Sequence, residues 1–111
     1  MKKKDDSVYL QHILDAVTKI ENYIHGINEE KFQSDSLIQD GVIRQLGIIG
    51  EATSKISPET KKQWSDVPWR DISDMRNKLI HDYFGVDVGE VWLTALHDLP
   101  LLKSRIKTIL K

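Results

Sequence analysis

The chain predicts an all-α fold, an antiparallel four- to five-helix bundle, on three observations. Apolar residues recur every three or four positions along most of the 111 residues. No apolar–polar alternation of the strand type survives over five residues. The breaks between periodic segments carry Gly, Pro, Ser and Asp, residues that start and stop helices. The length suits a single domain, 1–111, which can bury about two-thirds of its unfolded surface.

Each element follows from its own pattern. Leu10, Ile13, Leu14, Val17, Ile20, Ile24 and Ile27 draw one stripe on a first helix, with Asp6 or Ser7 as its N-cap and Gly26 near its end. Residues 28–35 read as a polar connection pinned by Phe32. A second helix runs from about Ser36 to Lys55, with Ile38, Val42, Leu46 and Ile49 on one face. Gly47 and Gly50 inside it each cost about 1 kcal/mol against Ala, and close packing on a neighbouring helix is the usual reason to keep them. Ser57-Pro58 starts a short helical turn through Trp64, and Pro68 leads into a third helix from Trp69 to Tyr83, stopped by Gly85. Asp87 caps a fourth helix through Trp92 and Leu96. Pro100 ends or kinks it, and Leu102, Ile106, Ile109 and Leu110 mark the last helix.

Composition removes several function classes. With no cysteine there is no disulfide framework, thiolate metal site or cysteine nucleophile. The apolar runs are too short to cross a bilayer, so no membrane role is expected. The start, Met1-Lys2-Lys3-Lys4-Asp5-Asp6, has no apolar segment behind its basic residues and does not read as a signal peptide, so the cytoplasm is the expected compartment. Sixteen Lys and Arg oppose seventeen Asp and Glu, a net charge of −1, so any contact with RNA requires a local patch or a shaped site.

Most titratable residues have a structural reading. His12 and His25 sit in no metal-ligand spacing, and the HExxH pattern is absent. His97 falls near a helix end, where the dipole favours it. Arg44 and Glu51, seven apart, share a helix face; they form a solvated pair or line a groove. Lys103, Arg105, Lys107 and Lys111 make a basic C-terminal face that suits the dipole. No metal site and no cofactor are expected.

One segment is denser in chemistry: Met75-Arg76-Asn77-Lys78-Leu79-Ile80-His81-Asp82-Tyr83-Phe84-Gly85. On a helix Asn77 and His81 share a face, and Arg76 and Tyr83 fall within roughly 20° of each other. Arg76 and His81 are offset by about 140°, too far for a rigid mid-helix pair. They meet through the long arginine side chain, a loosened helix end, or a second copy of the helix facing the first.

Arg76-Asn77-x-x-x-His81-x-Tyr83 resembles the Rx4HxY signature of the HEPN superfamily, and most closely its HepT-like branch, the toxin half of HEPN/MNT toxin–antitoxin pairs. The run from Gln39 to Ala52 is similar to that family's second helix, and Val67-Pro68-Trp69-Arg70-Asp71-Ile72 to the lead into its motif helix. Tyr83 to Asp87, Val91-Trp92 and Asp98-Leu99-Pro100 resemble the family's segments beyond the motif, so the similarity spans nearly the whole chain in order. The resemblance implies a helical bundle acting as a homodimeric, metal-independent endoribonuclease. Arg76, Asn77 and His81 take the active positions, and Tyr83 takes the position that a partner nucleotidyltransferase adenylylates to silence the toxin.

The residues suit that chemistry on their own terms. Metal-free RNA cleavage needs a base for the 2′-hydroxyl and an acid for the leaving oxygen, and histidine serves either role. Arginine holds a phosphate bidentately. Asn77 orients His81 or bonds the phosphate. One chain offers one well-placed histidine, and a two-fold axis beside the motif helix would supply two. The alternative is a non-catalytic helical subunit that binds a nucleotide or substrate for a separate nucleotidyltransferase.

Overall fold

A computed structural model describes residues 2–81 and 86–111 and, within the described helices, all side chains but those of residues 2–5, 78, 80 and 81. Among the described residues the secondary structure is entirely helical: α1 (Lys2–Ile24), α2 (Glu29–Ser34), α3 (Ser36–Ser54), α4 (Pro58–Gln63), α5 (Trp69–His81), α6 (Val88–Leu93) and α7 (Leu99–Leu110). A π-helical turn, Thr94–Asp98, joins α6 to α7. The all-α bundle expected from the periodicity is therefore the architecture observed. None of the described helices is long and apolar enough to cross a membrane.

The apolar stripes meet as their spacing requires. α1 packs on α3 and α7, and α3 packs on α5. Ile13, Val17 and Ile20 of α1 are fully buried with Val42, Leu46 and Ile49 of α3 and Ile106 of α7. α1 and α3 run antiparallel, since Tyr23 lies beside Gly41 at one end and Asp6 reaches Ser57 just past the other. Gly26, at φ +76°, takes the left-handed conformation that ends α1 without a Cβ penalty.

Caps set the remaining boundaries. Asp35 accepts from the Ile38 N–H at 3.1 Å and starts α3. That bond, followed by the Lys31 ammonium at 3.3 Å, holds the Asp35 carboxyl below its ordinary pKa. Ser57 caps α4, with Pro58 in its first turn. Asp87 caps α6 as expected, accepting from Gly89 N–H at 2.9 Å and Glu90 N–H at 3.3 Å. Trp69 opens α5 with its ring buried and its indole N–H donated to the Trp64 carbonyl at 3.0 Å. The motif helix is thereby pinned at its start.

Several sequence expectations are corrected. Asp6 is not an N-cap: α1 begins at Lys2, and the buried Asp6 carboxylate accepts from Ser57 N–H at 2.8 Å, from the Ser57 hydroxyl at 2.6 Å and from the Thr60 hydroxyl. It ties α1 to the start of α4. Residues 28–35 are not a plain connection but contain α2, capped by Asn28, whose Phe32 packs on Trp92 at 5.2 Å. Pro100 does not end a helix. It sits in the first turn of α7, and the wider π turn before it, where the Leu99 N–H reaches back to the Thr94 carbonyl, absorbs the missing donor. His97 accordingly lies inside a continuous helical stretch, exposed, and not at a helix end. Two of the C-terminal cations are also tied to the body of the bundle: Lys103 to Glu21 at 2.7 Å, and Arg105 to Asp66 at 2.8 Å with its guanidinium over Trp64.

Candidate active-site groove beside Arg76

α5 reaches its place because Gly50 of α3 has no side chain. A Cβ at position 50 would collide with the Arg76 Cβ and lie 3.1 Å from the Ile72 carbonyl oxygen. This is the close helix packing expected of Gly50. Gly47 departs from that expectation, because a Cβ there would meet nothing within 4 Å. It faces open space and lines the groove instead.

Close packing brings the Arg76 side chain against the next residue of α3. Its Nε lies 2.6 Å from Glu51 Oε1, and its Nη1 donates to Asn77 Oδ1 at 3.3 Å. Glu51 also meets Lys55, one turn on, at 3.6 Å. The Arg76 and Glu51 side chains are 36% and 44% exposed, so the pair adds only about 0–1 kcal/mol to stability. Its consequence is orientation. Held on its Nε edge by Glu51 and at Nη1 by Asn77, the guanidinium has a set orientation at the groove wall.

The groove has a volume of about 540 Å³ and runs between α1 and α3, with Arg76 at its edge. Both groove candidates on α3 are there: Arg44 and Glu51 line it together. The two do not pair with each other: Glu51 is bound to Arg76 and Lys55. Asn77 is exposed beside Arg76 and is bonded to it. His81 closes α5 at its last residue, with its side chain outside the described set, and Tyr83 lies outside the described residues altogether.

Three groove residues escaped the sequence reading. Tyr9 and His12 of α1 form an edge-to-face pair with ring centres 6.0 Å apart, and Lys55 stands at the end of α3. Tyr9 and His12 each precede a buried stripe residue, Leu10 and Ile13, so both border the apolar face three positions apart. That border position was the available signal. What it could not reveal is that α3 would present Arg44 and Lys55 opposite.

An all-α bundle whose Arg-Asn-x-x-x-His segment lies on a helix beside a cationic groove has the architecture of the HEPN class. More particularly, the chain belongs to the ribonuclease HepT-like family, whose family model matches residues 13–109. It is 41% identical over 109 residues to the "Probable ribonuclease HepT" of Thermococcus cleftensis, covering 98% of this chain and 99% of that protein. It is 40% identical over 103 residues to a "Putative RNase" of Caldanaerobacter subterraneus, covering 93% and 92% of the two chains. A "Gamma-glutamylcyclotransferase and putative RNase" of Methanocaldococcus jannaschii is 38% identical over 109 residues; the match takes in 98% of this chain and 49% of that protein, about half its length. No solved structure matched the chain.

The two glycines of α3 should respond oppositely to the same substitution. Gly50→Ala must push α5 off α3 and should cost about 1–3 kcal/mol in urea unfolding. Gly47→Ala meets no neighbour and removes a helix penalty, so it should stabilise by up to about 1 kcal/mol. Equal effects at the two positions would show that the close approach is not at Gly50.

Proposed function

We propose that this chain is a metal-independent endoribonuclease, the toxin of a HEPN/MNT toxin–antitoxin pair, acting in the cytoplasm as one domain, 1–111. The observation that carries the reading is the Arg76 guanidinium, held by Glu51 on its Nε edge at the mouth of a cationic groove. Family membership and the names of the relatives support it.

In this reading Arg76 binds the scissile phosphate and stabilises the charge that develops on its oxygens. The 2′-hydroxyl attacks phosphorus, a base takes its proton, and the P–O5′ bond breaks as an acid protonates the leaving 5′-oxygen. The product is a 2′,3′-cyclic phosphate. His81 carries proton transfer, with Asn77 in support through its bond to Arg76. A homodimer places two His81 residues in one cleft, one as base and one as acid. No cofactor takes part.

Tyr83 is the proposed switch. AMP attached to its hydroxyl adds an anionic phosphodiester that competes with RNA for Arg76, and a nucleoside that fills the substrate space. The partner is a nucleotidyltransferase of the MNT type, which transfers AMP from ATP and releases pyrophosphate.

RNA should be cut in the presence of EDTA to leave a cyclic phosphate end. His81→Ala and Arg76→Ala should each lower the rate by about 10²–10⁴-fold with the circular dichroism spectrum unchanged. If His81→Ala keeps full biological activity, the alternative of a non-catalytic binding subunit is the better reading. The protein should sediment at twice its chain mass, and a fully active monomer would remove the need for paired histidines. With the cognate transferase, ATP and magnesium, mass spectrometry should find AMP on Tyr83, and Tyr83→Phe should escape silencing. A label on Tyr9 or Tyr23 would overturn that assignment.

A further inference from the structure

The groove beside Arg76 is built mainly from residues outside the Arg76–Tyr83 motif. Arg44, Lys55 and Arg76 supply three fixed cations against one carboxylate, Glu51, which is already engaged by two of them. Among the described residues Arg44 has no ion-pair partner, and it is exposed. A chain of net charge −1 thus concentrates positive charge in one concavity. The same wall carries the Tyr9 and His12 rings, set at 86° to each other. A perpendicular pair offers ring faces in two directions, and unstacked bases bind such faces. A volume of about 540 Å³ lies within the range of small-ligand sites.

A larger cleft among the described residues has the opposite character. It measures about 810 Å³, lies between α5 and α7, and carries Asp66, Asp71, Asp74 and Asp98 against one cation, Arg105, which is bound to Asp66. A polyanion is repelled there and attracted to the α1–α3 side.

We propose that the α1–α3 groove is a nucleotide subsite for single-stranded RNA, next to the scissile phosphate. Arg44 and Lys55 hold the phosphate adjoining the one at Arg76, and an outward ring face of the His12–Tyr9 pair stacks the base of that nucleotide. The proposal rests on the ribonuclease reading and adds to it a specificity-determining surface outside the motif. Because stacking needs an unpaired base, it also favours single strands over duplex.

The test uses the full chain and a fluorescent oligoribonucleotide bearing 2′-O-methyl groups throughout, which binds but cannot cyclise. His12, Arg44 and Lys55 are exposed, so their replacement should leave the melting temperature nearly unchanged. His12→Ala with Arg44→Ala should weaken binding about tenfold or more. The slope of log affinity against log salt should fall by about 0.7 for the lost phosphate contact. On uncut RNA, KM should rise by more than kcat falls. Lys55→Glu should weaken binding further, and Lys107→Ala, outside the groove, should change nothing. Unchanged affinity in the double variant, or equal affinity for duplex and single strand, overturns the subsite. A wild-type protein that binds the probe but never cuts RNA overturns the ribonuclease reading alone, and the binding comparison still judges the groove. Failure of the wild type to bind the probe overturns the subsite outright.

Discussion

Contact between α3 and α5 without an intervening side chain at Gly50 is the constraint on which the rest of the site depends. The Ile72–Arg76 turn of α5 lies on the α3 backbone, so Arg76 emerges beside Glu51. Packing and ion pairing differ in weight here. A Cβ at position 50 would force a displacement costing about 1–3 kcal/mol, whereas the half-exposed Arg76–Glu51 pair is worth about 0–1 kcal/mol. Packing therefore decides where Arg76 stands, and the carboxylate decides how its guanidinium is turned.

That turning has a chemical consequence. Glu51 takes Nε at 2.6 Å, and Asn77 Oδ1 accepts from Nη1 at 3.3 Å, so two acceptors fix the guanidinium plane. An arginine already oriented loses less freedom on binding than a solvated one, which is how a preorganised cation gains over a merely attracted one. Asn77 thus acts on Arg76, its immediate neighbour.

The helices were legible in the sequence wherever one face had to be buried. Leu10 to Ile24, Ile38 to Ile49 and the Asp87 cap are local patterns, and the structure follows them. What escaped depends on partners distant in sequence. Asp6 looked like a cap because Asp usually is one, and only the approach of Ser57 and Thr60, more than fifty residues on, makes it a buried acceptor. Phe32 signalled an anchor but not α2, since six residues are too few for a periodicity to show. Gly47 and Gly50 have the same composition and the same helix, yet one meets α5 and the other meets nothing. His12 looked inert because its groove is completed by Arg44 and Lys55 of another helix. That Arg44 and Glu51 share one face of α3 was legible from their spacing, since a helix face is a local property, whereas Arg76 and Asn77 were singled out by the motif they resemble.

The net charge of −1 explains why composition left the nucleic-acid question open. Exposed charges act over a Debye length of about 8 Å at physiological salt, so a ligand feels the cluster in front of it and not the sum. The groove side presents Arg44, Lys55 and Arg76, while the cleft between α5 and α7 presents four aspartates with Arg105 bound to one of them. These opposed fields cancel in the total and not in space. A polyanion is steered toward the wall on which Glu51 has already set the guanidinium, so electrostatic attraction and the oriented donor coincide at one edge of α5. In the proposed reading, an anion fixed near Arg76 would compete effectively, because it would occupy the place to which this field steers a polyanion.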